Sequence, residues 1–225
     1  MKRAFDLIVA LIGFLVVLPL IAIMALLVRL TSPGPALYVQ TRIGRFGKPF
    51  SCIKFRTMRV HADSNTVTVD GDKRITGMGR FLRKTKLDEL PQLWNVITGR
   101  MSFVGPRPDV PGYADRLQGT DRRVLDLRPG ITGPATLLFR HEEELLAASK
   151  DPIRFNDEVI FAEKVMINLE YADCLSFWGD IGYILATVCP PLTRLTRLDR
   201  RLGLDYQAFE ARMREGMRDV LQRLR

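Results

Sequence analysis

Histidine and cysteine are scarce in this chain, and their scarcity removes several chemistries at once. Its 225 residues include two histidines, His61 and His141, and three cysteines, Cys52, Cys174 and Cys189. An odd number of widely spaced cysteines argues against a disulfide framework and for a reducing compartment. A Cys/His zinc site is disfavoured, so any metal falls to oxygen ligands, which suit magnesium or calcium. Internal repeats and low-complexity tracts are also lacking. Acidic side chains are in deficit: 25 Asp and Glu face 34 Lys and Arg, a formal net charge of +9. With 47% hydrophobic and 26% charged residues the composition is that of a folded chain, which excludes wholesale disorder. The length fits one domain with an appendage and excludes a large multidomain machine.

The hydrophobic residues are not spread evenly. Leu7 to Val28 is a run of 22 uncharged residues, sixteen of them Leu, Ile, Val or Phe. At roughly 0.3 to 0.6 kcal/mol each, those side chains favour the bilayer by about 5 to 10 kcal/mol. A cleaved signal peptide has a shorter apolar core followed by small residues, whereas this run flows straight into Arg29. A soluble core helix rarely stays uncharged for so long. Pro19, near the middle, removes one helical hydrogen bond at a cost of about 3 kcal/mol, too little to prevent insertion but enough to localise a kink. Basic residues flank both ends (Lys2 and Arg3; Arg29, Arg42, Arg45 and Lys48), so the positive-inside rule has no asymmetry to act on. Composition leaves two arrangements open: a re-entrant helix-break-helix dipping into one leaflet, or a single span with a mild kink.

Beyond Thr31, Ser32-Pro33-Gly34-Pro35 marks a boundary. Paired strands are expected over Ala36 to Gln40 and Phe50 to Arg56, with a turn at Gly44 to Gly47. His61 to Thr76 reads as a polar surface loop or lid. Helices are expected over Met78 to Thr85, Leu87 to Thr98, His141 to Ala148, Asn156 to Tyr171 and Trp178 to Val188. Arg107 to Pro111 and Arg128 to Pro134 are too rich in Pro and Gly for regular structure. The tail from Arg194 carries nine Arg against five acids, with Phe209, Met213, Met217, Leu221 and Leu224 on one helical face. Such a helix lies on anionic lipid or packs on the body or a partner, and the lipid surface is favoured. The expected class is mostly α with a small β-hairpin, divided into a membrane helix (1–31), a cytosolic body (32–190) and a basic amphipathic tail (191–225).

The most informative stretch is 80–97, where Arg80, Arg83, Lys84 and Lys86 precede Asp88-Glu89 and an apolar helical pattern. Thr85 with Asp88 resembles a capping box, and Pro91 is tolerated in a first turn. Carboxylates at a helix start among cations are expected to have low pKa values, suited to a nucleophile or metal ligand. Helix capping explains one acid but not two beside four cations. Lys54, Arg56, Arg107, Arg128 and Arg140 lie in or beside loops, and together suggest oxyanion recognition, because Arg offers a planar fork to phosphate. A membrane stub, an acidic pair and loop arginines imply phosphoryl transfer on a lipid substrate.

Between Lys2 and about Val188 the chain resembles the bacterial sugar transferases, the monotopic phosphoglycosyl transferases. The blocks that carry the resemblance are Lys2-Arg3-Ala4-Phe5-Asp6, Lys54-Phe55-Arg56-Thr57-Met58, 87–96 (LDELPQLWNV), 101–108 (MSFVGPRP) and 128–133 (RPGITG). The resemblance implies a re-entrant helix broken at a proline, matching Pro19, and a bacterial inner-membrane enzyme with its catalytic domain facing the cytoplasm. It implies Asp88 as nucleophile with Glu89 as its partner, both available to Mg2+, acting on a UDP-sugar and on polyprenyl phosphate to begin a surface glycan. Pro106-Arg107-Pro108 is implied in nucleotide binding and Arg140 in phosphate binding, with Lys54, Arg56, Arg83 and Arg128 as further substrate contacts. Where many members continue from the Thr-Gly pair as Trp-Ala-Gln, this chain reads Pro134-Ala135-Thr136, so sugar specificity does not carry over. The chain resembles a minimal catalytic-core form, without nucleic acid as partner and with a homodimer left open. The competing reading is a non-catalytic, membrane-anchored basic protein that binds nucleic acid or anionic lipid; a degenerate member acting as a partner subunit is a third.

Overall fold

A computed structural model describes residues 1–60, 71–189, 209, 211–213 and 215. The uncharged run lies in helix α1, Lys2–Thr31, which ends where Ser32 turns extended (φ −157°) ahead of the Pro-Gly-Pro cluster. Helical backbone continues through Pro19 without interruption. The helix-break-helix expected there is therefore not seen as a break; the missing proline N–H costs one hydrogen bond, which the flanking turns tolerate.

Burial along α1 is uneven. Asp6 and Ala10 are buried near its start and Met24 and Val28 near its end, while Leu7, Ile8, Ile12, Leu15, Val16, Leu26 and Leu30 are exposed. No residue from Leu11 to Ile23 is buried. Both ends are thus buried on the body, and the middle touches it only through partly buried positions such as Phe14, whose ring lies 6.0 Å from that of Trp94. α1 is also the one helix among the described residues that is long and apolar enough to cross a membrane.

The body begins with a hairpin of β1, Leu37–Ile43, and β2, Pro49–Phe55, antiparallel with Leu37 opposite Phe55 and Ile43 opposite Pro49. Its turn needs two left-handed residues, Phe46 (φ 61°) and Gly47 (φ 74°). Helix α2, Gly77–Thr85, is capped by Thr76, whose hydroxyl accepts from the Gly79 N–H at 2.9 Å. The single helix expected from Leu87 to Thr98 is instead a 3-10 turn, Leu87–Glu89, followed by α3, Gln92–Ile97. Pro91 between them has no N–H to continue the ladder.

The loop expected at 128–134 holds a strand. β3, Ser102–Val104, pairs in parallel with β4, Gly130–Thr132, and α4, Pro134–Leu138, follows directly. Glycine permits this crossing. A Cβ on Gly130 would lie 2.2 Å from the Gly105 nitrogen, and one on Gly105 would lie 2.2 Å from the Arg128 carbonyl oxygen. Helices α5 (Glu142–Ala148), α6 (Pro152–Phe155), a π turn (Asn156–Ile160), α7 (Phe161–Asp173) and α8 (Phe177–Val188) complete the described body.

The largest apolar cluster joins Val104, Leu137, Phe139, Phe155, Ile160 and Tyr183. Full burial of a large apolar side chain contributes about 1.5 to 3 kcal/mol. Phe209 and Met213 of the tail belong to this cluster, with the Phe209 ring edge-on to Phe139 at 4.7 Å. At these two positions the tail packs on the body, the alternative to a lipid surface left open for this face. Met217, Leu221 and Leu224, like residues 61–70 of the loop expected over His61 to Thr76 and the boundary at 190/191, lie outside the described residues. α1 enters two smaller clusters: Ala10 with Phe50, Val96 and Met101, and Met24 and Val28 with Phe55 and Leu82.

Replacing Gly130 by Ala should lower stability by about 3 kcal/mol or more, beyond ordinary overpacking, because the colliding atoms are backbone. Gly77→Ala, with no atom within 4 Å of the added carbon, should be nearly neutral. Thermal unfolding of the two variants in detergent distinguishes them; equal melting temperatures would contradict the close crossing.

Candidate active site

α2 ends in a left-handed residue, Lys86 (φ 58°), and this reversal sends the chain into the 3-10 turn that carries Asp88 and Glu89. Thr85 is not the expected cap; its hydroxyl donates back to the carbonyls of Phe81 (2.9 Å) and Leu82 (3.2 Å), as a last-turn threonine does. Asp88 is 8% exposed, and its buried Oδ1 has no hydrogen-bond partner among the described residues. Beside it, Glu89 accepts from Arg107 Nη2 at 2.7 Å. Arg107 comes from the loop between two buried prolines, Pro106 and Pro108, and its own side chain is 44% exposed.

Adjacent buried acids do not titrate alike. Burial raises the Asp88 carboxyl and the Glu89 charge raises it further, while Lys54, Arg107 and Lys86 pull it back incompletely. The low value expected for Asp88 is thereby corrected: a 3-10 turn held out of water desolvates the carboxylate more than the nearby cations compensate. Burial raises Glu89 too, but the charge and hydrogen bond of Arg107 more than offset it, and Glu89 ends below its ordinary value. The environment shifts the two carboxyls in opposite directions, Asp88 up and Glu89 down.

The β1–β2 hairpin supplies the cations. Tyr38, Gln40 and Arg42 alternate onto one face of the ladder, opposite Lys54, Cys52 and Phe50. Lys54 is lowered to about 8 by burial and by its neighbours Arg42 and Arg107. Arg42 donates to Gln40 Oε1 at 2.7 Å and to the Pro108 carbonyl at 3.0 Å, tying the hairpin to the Pro-Arg-Pro loop. Sequence reasoning counted Arg42 only as a membrane flank; the period-2 alternation with Lys54's partners was the available signal. Asp109, raised to about 6 by burial, was also missed, and a loop aspartate gives no sign of its burial beforehand.

The structure thus brings Lys54, Asp88, Glu89 and Arg107 together, with Arg83 alongside, bonded to Thr57 (3.0 Å) and Glu143 (2.9 Å). Three other arginines are engaged elsewhere. Arg56 is buried and donates to the carbonyls of Ser32 (2.7 Å) and Pro33, clamping the exit of α1. Arg128 donates to Gly99 O at 3.3 Å, and Arg140 makes a 3.5 Å contact with Ala186 O. No group of three or more His, Cys, Asp or Glu able to hold a metal is found among the described residues. Two adjacent carboxylates, one with a partnerless buried oxygen, fit an ion that takes one or two protein carboxylates and completes its shell with water and phosphate oxygens.

The acid pair thus stands among cations drawn from the hairpin, the end of α2 and the Pro-Arg-Pro loop. The chain belongs to the bacterial sugar transferase family, which it matches over residues 1–194. It is 39% identical over 194 residues to the UDP-glucose:undecaprenyl-phosphate glucose-1-phosphate transferase of Escherichia coli K12, covering 84% of this chain and 39% of that protein. To the protein of the same name from Caulobacter vibrioides it is 36% identical over 205 residues, 85% of this chain and 70% of the relative. To the UDP-N-acetylgalactosamine-undecaprenyl-phosphate N-acetylgalactosaminephosphotransferase of Aeromonas hydrophila it is 32% identical over 200 residues, 85% and 44% respectively. The chain thus spans well under half of two of these relatives and over two thirds of the third.

Lys54 should titrate near 8, becoming neutral and acylatable at a pH where ordinary lysines remain charged. The unfolded chain holds that proton up to about 10.4, so its neutralisation makes stability rise with pH between the two values. Arg42→Gln removes one cause and should move the midpoint upward. Labelling of Lys54 against pH, read by peptide mass spectrometry, checks both; an unshifted midpoint would contradict the clustering.

Proposed function

We propose that this chain transfers a sugar 1-phosphate from a UDP-sugar to polyprenyl phosphate, undecaprenyl phosphate in bacteria, through a covalent aspartyl-phosphosugar intermediate, and so initiates a surface glycan. The observation that carries this reading is the split acid pair: a buried Asp88 with a partnerless oxygen beside a Glu89 fixed by Arg107. The named activities of the relatives support the same substrates.

In the first half-reaction a carboxylate oxygen of Asp88 attacks the β-phosphorus. The bond from that phosphorus to the bridging oxygen breaks, and UMP leaves with the electron pair. Burial removes water that would otherwise solvate the nucleophile and hydrolyse the acyl phosphate. Lys54, Arg42 and Arg107 balance the charge of the incoming diphosphate, and their fixed positions need no reorganisation during reaction. Glu89, held ionised by Arg107, keeps that guanidinium oriented. In the second half-reaction an oxygen of polyprenyl phosphate attacks the same phosphorus, and the Asp88 carboxylate is the leaving group. Asp88 and Glu89 would hold Mg2+, which supplies neutralisation of the diphosphate and of the departing UMP.

The docking of α1 supports the re-entrant membrane arrangement. A spanning helix carries its far end across about 30 Å of hydrocarbon. Here Lys2, Arg3 and Asp6 at one end and Met24 and Val28 at the other all touch one body, while Leu11, Ile12, Leu15 and Val16 in between are exposed. A re-entrant helix, with both ends on the cytoplasmic side of the inner membrane, accommodates this and places Asp88 near the interface where the lipid phosphate lies.

Asp88→Asn should reduce UMP release from a UDP-sugar, assayed with undecaprenyl phosphate and magnesium, by about a thousandfold or more, as losses of covalent nucleophiles do. Near-normal turnover in that variant would remove Asp88 from the chemistry. For the membrane arrangement, single cysteines at positions 2 and 59, in a background lacking the native three, should both be labelled from the cytoplasmic side of membrane vesicles. Labelling from opposite sides would establish a span instead.

A further inference from the structure

A cavity of about 150 Å³ lies at the N-terminal end of α1, lined by Lys2, Arg3, Arg45 and Arg128 against Asp6 and Asp126. The acids do not discharge it. Asp6 accepts from Ser102 Oγ at 2.8 Å, and no carboxylate is ion-paired to Arg3, Arg45 or Arg128 among the described residues. Lys2 is paired with Asp180, and both amino nitrogens of Arg3 are spent on the α3 carbonyls Val96 O (2.7 Å) and Ile97 O (3.1 Å). Arg45 and Arg128 use only Nε, on Asp126 O (2.7 Å) and Gly99 O (3.3 Å), which leaves the terminal nitrogens of each without a protein acceptor among the described residues. Burial and the charges of Arg45 and Arg3 pull Arg128 below its ordinary value, and Asp6 opposes them only in part.

The surroundings are those of a membrane interface. Leu175, on the cavity wall, is 50% exposed, and Trp178 is 78% exposed next to Phe177, which stacks edge-on against Phe5 of α1 at 5.3 Å. Phe46, at the hairpin turn beside Arg45, is 55% exposed. Exposed aromatics beside cations at the foot of a membrane helix mark the headgroup level. Arg128 does not act on Asp88 or Glu89, whose cations are Lys54, Lys86 and Arg107, so this cluster is distinct from the acid pair.

We propose that Arg45 and Arg128 bind the phosphate of an anionic membrane phospholipid in this cavity, a second anion site that anchors the N-terminal end of α1 at the headgroup level. Basic pockets on the cytoplasmic side of membrane helices take lipid headgroups in this way, and two guanidinium forks match a phosphodiester. The proposal rests on the membrane docking of α1 and not on the phosphoryl chemistry, so the two fail separately: lipid binding is read without turnover.

The test uses the full chain in neutral detergent, titrated with dihexanoyl phosphatidylglycerol and followed by native mass spectrometry. Saturable binding of one lipid is expected, weakened about tenfold in Arg128→Gln and about a hundredfold with Arg45→Gln added, at one charge-assisted hydrogen bond lost per step. Arg107→Gln, at the acid pair, should bind the lipid like the unaltered chain. Equal binding by the double variant, loss of binding in Arg107→Gln, equally tight dihexanoyl phosphatidylcholine, or competition by inorganic phosphate at equal affinity would each overturn the proposal. Arg45 sits at an exposed turn, so Arg45→Glu keeps the test decisive if Arg128 variants do not fold; undiminished binding there overturns it too.

Discussion

Two adjacent carboxylates held out of water repel each other, and the arrangement around Asp88 and Glu89 answers that constraint. One solution would be to expose the pair, but an exposed aspartate is solvated and a poor nucleophile. The chain instead holds both largely out of water and surrounds them with cations from three separate elements: Lys54 from the hairpin, Lys86 from the end of α2, and Arg107 from the Pro-Arg-Pro loop. The compensation is deliberately unequal. Glu89 receives a direct ion pair and stays charged, whereas Asp88 receives only through-space attraction and keeps an oxygen free. Burying a charge is tolerable when it is paired, and reactive when it is not quite paired.

The same economy of contacts holds the membrane helix to the body. α1 offers the bilayer a broad apolar surface, so its attachment must come from few residues, and these are polar at one end. Lys2 pairs with Asp180, whose other oxygen takes the Tyr171 hydroxyl at 2.6 Å, and Asp6 accepts from Ser102, the first residue of β3. β3 is in turn paired to β4 through Gly130, and the loop after β3 carries Arg107. Helix position and site position are therefore linked through one short parallel ladder, which explains the glycines at its crossing.

Much of this was legible in the sequence, but not evenly. The hairpin was found at nearly its true bounds because alternation and a Gly-flanked turn are local signals; the first strand runs to Ile43 rather than Gln40. α2 and α8 were placed within a residue or two by periodicity and stop signals. The β3–β4 ladder was not, since three-residue strands made of Gly, Ile and Thr have no periodicity, and parallel pairing joins segments far apart in the chain. The acid pair and Arg107, singled out by type and setting, lie together in the fold. The direction of the Asp88 shift was not legible, because a sequence displays neighbouring charges but not burial. Likewise Arg56 and Arg128 resemble Lys54 on paper, and only the fold assigns Arg56 to the carbonyls closing α1 and Arg128 to Gly99.

The central claim is that Asp88 itself becomes an acyl phosphate carrying the sugar. It is tested most directly by incubating the full chain with a UDP-sugar and magnesium without lipid acceptor, quenching, and analysing the peptide that contains Asp88 by mass spectrometry. A glycosyl-phosphoryl addition on Asp88, discharged when polyprenyl phosphate is supplied, is the predicted result. An unmodified Asp88 peptide under conditions in which lipid-linked product accumulates would contradict it.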